Sequence, residues 1–328
     1  ITGSDYIKFQ DVTIQNTYSS TGYNVYLSGG SNYITIENCR LWSNTSGTFS
    51  YNVYNNRNEY LTVKNSRILG GYYGFYNYGS GTGSSASKGL HVENCDFRSQ
   101  GYYGMYNRNQ RENTIKYNHM DSAVRTGYGI YSYYNNMEHM ESNEMYGYNY
   151  GLYLRYGNYV GSTSDTSIIA NNISKSNNVY GFYGFYYDRV TMAHNVFEGG
   201  SGRYGFYWYN YRRNAVRFAN NIVVGEGYYG FYFYSGGTSY QPTYWDYNDY
   251  WMSNTTYFCY FNGSFAASLT ALKSANTSYN QNCVSVDPDF PSARDGRTYS
   301  PSLNNVGVDV GIKADIDGNP RPNTKDNK

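Results

Sequence analysis

The chain has 328 residues, of which 46 are tyrosine, and its charged fraction is only 15%, against about 25% in ordinary soluble domains. Its 25 basic and 24 acidic residues leave a formal net charge of +1, which argues against a nucleic-acid binder or a polybasic membrane-surface protein, both of which need a basic face. No run of 18 apolar residues would make a spanning helix, and the aromatic fraction of 20% argues against disorder.

The sequence opens at Ile1 inside an already repeating pattern, with no Met or signal peptide, and is read as a piece of a longer precursor. From there a unit of Tyr-x-apolar-Tyr recurs. Its second tyrosines run from Tyr26 through Tyr54, Tyr76, Tyr106, Tyr131, Tyr153, Tyr183, Tyr207 and Tyr232 to Tyr260, nine steps over 234 residues, a mean period of 26. Its first tyrosines, Tyr23 to Tyr257, form a second full column. Between them lies an asparagine motif, aligned on Asn38, Asn65, Asn94, Asn118, Asn143, Asn171, Asn195, Asn221 and Asn248, with a one-residue shift between the third and fourth turns.

Both segments alternate with period two and are separated by Gly, Asn and Ser. A single coil of two or three such strands cannot bury its own inner face, so coils must stack. The expectation is an all-β right-handed parallel β-helix (a solenoid) of about ten coils over residues 1–262. At the inter-strand spacing, ten coils make a rod of roughly 45–50 Å. An irregular segment over 263–328 follows, with one helix-like stretch at 265–276, expected to cap the open rod end.

The Ile34-Thr35-Ile36-Glu37-Asn38 unit, the segment Val190 to Asn195 and the Gly-apolar-Tyr strands resemble right-handed parallel β-helix proteins of the pectate-lyase-like superfamily. The tail, with Asp287-Pro288-Asp289-Phe290, Ser300-Pro301-Ser302 and the run Asp315 to Pro322, resembles the end region of secreted bacterial β-helix proteins with a choice-of-anchor module. That resemblance implies a bacterial extracellular or cell-surface protein.

Two candidate sites follow. Alternation places the second tyrosine column outward, and two residues further on the same face lies a mixed column. The candidate binding or assembly face is therefore Tyr76, Tyr78, Tyr106, Arg108, Tyr131, Tyr133, Tyr153, Arg155, Tyr183, Tyr207, Tyr209, Tyr232 and Tyr234. Parity would turn the first tyrosine column inward unless the intervening Gly or Asn bends the chain. The partners such a face fits are a polysaccharide, or copies of the same chain forming a fibre. The same stacks also satisfy a purely stabilising ladder.

The second candidate is charged: His91, Glu93, Lys116 and Glu141 fall on outward positions of consecutive coils. The resemblance implies a lyase alternative, in which a lysine base acts beside carboxylates that hold calcium. A polysaccharide lyase or glycosidase is thus the catalytic alternative to a non-catalytic adhesive rod. An alternating ladder Lys64–Glu93–Lys116–Glu141 explains the same residues without chemistry. No metal site or cofactor is otherwise expected. Of the four cysteines, Cys39 and Cys95 lie too far apart on a common column to bond, while Cys259 and Cys283 are a possible pair near the last coil.

Overall fold

The structure is a computed structural model that describes residues 1–17, 21–44, 49–123, 126–158, 165–200, 204–210, 215–236, 240–253 and 257–321. Pro322, the last residue of the tail motif, lies outside the described residues.

Each repeat folds into three short strands, and each strand joins a different sheet. Sheet A runs from Lys8–Gln10 to Tyr244–Asp246, sheet B from Thr13–Asn16 to Asp249–Met252, and sheet C from Thr21–Leu27 to Tyr257–Phe261. Each coil gives one strand to each sheet, ten strands deep along each path, with the short Ser87–Lys88 as an extra strand of sheet A; the pairing along the paths is parallel and in register except for a shift between Ser174 and Asn177. The molecule is a right-handed parallel β-solenoid.

The core is a set of inward columns, one residue per strand. Isoleucine, valine and methionine fill it in the early coils (Ile36, Val63, Ile115, Met120), and Phe206, Phe218, Phe231 and Trp245 in the late ones, all 0–1% exposed. The corner between sheets A and B is one residue with positive φ in every coil: Asp11 (56°), Asn38 (53°), Asn65 (52°), Asn94 (51°), then Tyr117, Ser142, Asn171, His194, Asn220 and Tyr247 (54–58°). Aspartate and asparagine tolerate this left-handed region better than most residues, which accounts for their frequency in the motif.

From the second coil on, the residue after each corner points inward and forms a ladder. Cys39, Ser66 and Cys95 begin it, and Asn118, Asn143, Asn172, Asn195, Asn221 and Asn248 continue it. Each asparagine Nδ2 donates to the next Oδ1 at 2.9–3.1 Å, and each Oδ1 also accepts a backbone N–H. The asparagine alignment above therefore merges two adjacent columns. Asn38, Asn65, Asn94 and Asn171 are corner residues; the buried ladder takes Asn172 instead of Asn171.

All four cysteines are free and buried, so Cys259 and Cys283 are not joined. Cys283 instead ends the asparagine ladder, its sulfur 3.3 Å from the Asn248 backbone nitrogen. Burial pushes the Cys95 and Cys283 thiols up to about 12.

After the last sheet C strand, Ser264–Ala266 turns back antiparallel to it. Helix α1 (Leu269–Ala275) follows, with Ser268 Oγ accepting from Ala271 N at its start. Leu272 and Ala266 enter the main core beside Cys259 and Phe261. This part closes the end of the rod. The remainder does not: residues 284–321 form a strap along the side. Phe290 packs on Tyr146, Ile173 and Val196, Arg294 pairs with Asp121, Val308 exchanges two hydrogen bonds with Asn220, and Ala314 accepts from Asn171 at 2.8 Å. The strap exists because the outer face of sheet B becomes apolar in the later coils (Ile173, Val196, Ile222) and needs cover.

Candidate functional site: the tyrosine face of sheet C

The Tyr-Gly-x-Tyr strand is not a regular alternating strand. In Tyr103–Arg108 the pattern is half-buried, buried, buried, half-buried, buried, half-buried, so the two tyrosines share the outer side. The glycine explains the break. A Cβ on Gly104 would lie 2.7 Å from the carbonyl oxygen of Gly129, and one on Gly129 2.6 Å from that of Gly151. The backbone approaches its neighbour there, and the glycine drops out of the pairing while the register on either side of it is unchanged. The first column therefore faces outward beside the second, which settles the parity question in favour of the bend. In the first two coils asparagine replaces the glycine, and Asn24 Nδ2 donates to Asn52 Oδ1 at 2.6 Å.

The result is two continuous ladders of ten rings each. Neighbouring rings of the second column stack 4.5–5.2 Å apart, with Tyr153–Tyr183 at 4.5 Å and 3°. The first column stacks at 4.6–5.6 Å. Between columns the rings meet edge to face, as Tyr128 and Tyr131 do at 5.1 Å and 83°. Tyr76, Tyr106, Tyr131, Tyr153, Tyr183, Tyr207 and Tyr232 all lie in one of these ladders and are half-buried.

The phenols of this face are not freely exposed. Each ring's faces are covered by the ring above and the ring below, so only edges and hydroxyls reach solvent. Desolvation by burial, reinforced by neighbouring phenols, pushes Tyr73 and Tyr232 up to about 12.

The mixed column stands beside the ladders as alternating aromatic rings and guanidiniums. Arg108 lies 5.1 Å from the Tyr78 ring centroid and 5.0 Å from that of Tyr133; Arg155 lies 5.6 Å from Tyr133 and 5.2 Å from Phe185. Tyr209 stacks on Phe185 at 5.4 Å, and Tyr234 follows it at 5.3 Å. Arg57, which the sequence reading passed over, adds a third cation 5.9 Å from Tyr78. No strand of sheet C contains Asp, Glu or Lys. Among the described residues, no carboxylate pairs with Arg57, Arg108 or Arg155, whereas Lys8, Lys64, Lys116 and Arg98 are all paired.

The charged candidate lies on sheet A. Glu93 is in register with Lys64 on one side and Lys116 on the other, and Lys116 with Glu141. The alternating ladder breaks into pairs, however. Lys64 binds Glu37 at 3.0 Å, Lys116 binds Glu141 at 3.1 Å, and Glu93 takes His91 at 2.7 Å. The hydrogen bond from His139, with help from Lys116, holds Glu141 at about 2. Glu93 and Glu141 stand on opposite sides of Lys116 and do not converge, so these residues do not fit a calcium ion. Among the described residues no three His, Cys, Asp or Glu side chains gather to hold a metal.

One buried acid was missed. Glu138, fully enclosed between sheets A and C, accepts from Ser132 Oγ at 2.8 Å, Tyr187 Oη at 2.6 Å and Asn135 Nδ2 at 3.1 Å. Its signal was present: it is two residues from inward Met140 and so shares its side. Enclosed and fully hydrogen-bonded, it is part of the scaffold.

Residues 1–161 match the family model described as right handed beta helix region. Neither a curated protein nor a solved structure matches the chain.

Proposed function

We propose that the chain is a non-catalytic rod of the bacterial cell surface or exterior, whose tyrosine face adheres to a polysaccharide laid along the rod axis. The observation that carries this reading is the composition of sheet C. Twenty outward phenols repeat at the coil spacing, no acid lies on the strands, and the two arginines among them lack a carboxylate partner among the described residues. A neutral row of hydroxyl donors and acceptors, repeated every 4.5–5.6 Å, matches a polymer that presents the same hydroxyl groups at each unit. Guanidiniums add bidentate donors for sugar oxygens.

Self-assembly is the weaker use of the same surface. Two copies joined face to face would bring Arg108 and Arg155 against one another with no acid to meet them, which opposes association. Head-to-tail growth would have to displace helix α1 from the rod end. The lyase alternative also has less support, because a base must be free to take a proton, and Lys116 is bound to Glu141. Placement outside the cell rests on the resemblance of the tail.

Cosedimentation with a panel of insoluble polysaccharides tests the proposal. Retention on at least one of them, without release of unsaturated sugar products, is the expected result. Failure on every polysaccharide together with concentration-dependent filaments would replace it with the assembly reading.

A further inference from the structure

The outer face of sheet B divides in two. The C-terminal strap covers it from Ile222 down to Asp121, where Arg294 is anchored. The first three coils lie beyond its reach and carry a different surface. In one outward column Thr13, Arg40 and Arg67 are register neighbours, and in the next Gln15, Trp42 and Leu69.

Two features of this surface are unexplained by the fold. Arg40 and Arg67 stand directly opposite one another on paired strands, a like-charge arrangement that is unfavourable on its own. Arg40 has no ion pair among the described residues, and Arg67 reaches only Asp96 at 3.7 Å, a carboxylate already held by Arg98 at 2.5 Å. Beside them, Trp42 is half-buried and, unlike the tyrosines of sheet C, has no aromatic ring against it among the described residues. Thr13, Gln15, Arg40 and Trp42 line an open recess.

We infer that this recess binds an anionic sugar residue, one bearing a carboxylate or a sulfate. The Trp42 indole, part of the recess wall with no other ring stacked on it among the described residues, offers an aromatic surface against which the C–H face of a sugar packs. Two adjacent guanidiniums supply the fork that a carboxylate or sulfate accepts, and an anion between them removes their mutual repulsion. Gln15 and Thr13 offer a donor and acceptors to ring hydroxyls. The site lies on a different sheet from the tyrosine face and goes beyond the adhesion proposed there.

Tryptophan fluorescence of the full chain tests it. Trp208 and Trp245 are buried in the core, so quenching reports on Trp42 and Trp251, and Trp42→Leu separates the two. The probes are oligogalacturonides (carboxylate), sulfated galactan oligosaccharides and neutral galacto-oligosaccharides. The expected result is quenching by one or both anionic probes, weakened by salt. It falls at least tenfold in affinity in Arg40→Gln/Arg67→Gln and is lost in Trp42→Leu. Which anionic probe binds identifies the anion. Both arginines are exposed, so the double variant should melt like the parent. A Tyr131→Phe/Tyr153→Phe/Tyr207→Phe variant should quench normally, so failure of the sheet C reading leaves this site standing. Equal binding of the neutral probe, the same quenching by inorganic sulfate alone, no binding of either anionic probe, or full affinity in the double variant would each overturn the inference.

Discussion

Asn143 and Asn172, 29 residues apart in sequence, are joined inside the rod by two hydrogen bonds. The Asn143 side chain donates to Asn172 Oδ1 at 2.9 Å, and the Asn143 backbone nitrogen donates to the same oxygen at 3.1 Å. The same relation repeats coil after coil and satisfies corner groups that the sheets leave unpaired.

Removing one rung should therefore be costly. Asn172→Ala orphans the Asn143 backbone nitrogen, leaves Asn143 Nδ2 only its bond to Ile115 O, and loses the bonds to Met140 O and Asn195. A loss of roughly 2–4 kcal/mol is expected from stranding several buried polar groups. The corner residue Asn38, exposed and at φ 53°, gives the control: Asn38→Gly should change stability by no more than about 0.5 kcal/mol. Urea midpoints of the two variants check the contrast, and equal effects would contradict the assignment of the two columns.

Gly129→Ala probes the close approach that turns both tyrosines outward. Its Cβ would sit 2.6 Å from the Gly151 carbonyl oxygen and 3.0 Å from Met145 Cγ. Neither backbone can yield without disturbing the stack, so a loss of roughly 2–3 kcal/mol is expected from overpacking. The near-ultraviolet tyrosine circular dichroism should fall with it. Unchanged stability and spectrum would mean that glycine is not what bends the strand.

His194 should make the rod sensitive to acid. Burial, with the Arg321 charge adding to it, holds its imidazole down at about 3, while an unfolded histidine titrates near pH 6.5. Above that pH both states are neutral. As pH falls through 6.5 the unfolded chain takes a proton that the folded one refuses, so stability is lost progressively down to about pH 3. His194→Asn suits the corner φ of 57° and should remove about 2 kcal/mol of acid loss between pH 7.5 and 4.5. Asp249, raised to about 7 by burial, works the other way in this range, since the folded state protonates first. It is common to both proteins and drops out of the comparison of their urea midpoints. Parallel pH profiles would contradict the prediction.

The repeat, the solenoid it implies and the tyrosine columns were legible because like residues stack on like residues at one period, whereas the third strand of each coil was not, since the sequence pattern shows only two motifs per unit. The corner and ladder columns were not separable, because both are asparagine in pairs such as Asn171-Asn172 and Asn220-Asn221. The outward turn of Tyr103 and its equivalents depends on how close a glycine comes to the next coil's carbonyl, a distance that no one-dimensional pattern carries. The path of the strap was hidden for a related reason: its contacts join residues 88 and 173 positions apart, as in Asn220–Val308 and Asp121–Arg294, without periodicity. A trace of it existed in the outward positions of sheet B, which change from Arg40, Arg67 and Asp96 to Ile173, Val196 and Ile222. Trp42 and Glu138 were readable by the same parity and were overlooked because neither belongs to a repeated column.

The central claim is that sheet C works through its hydroxyl edge, since its ring faces are occupied. Tyr131→Phe/Tyr153→Phe/Tyr207→Phe keeps every stacked ring and removes three hydroxyls of the second column. Cosedimentation with the polysaccharide that retains the parent rod, at matched melting temperature, is the direct measurement. The account predicts at least a tenfold loss of affinity with the fold intact; full retention by the variant would contradict it.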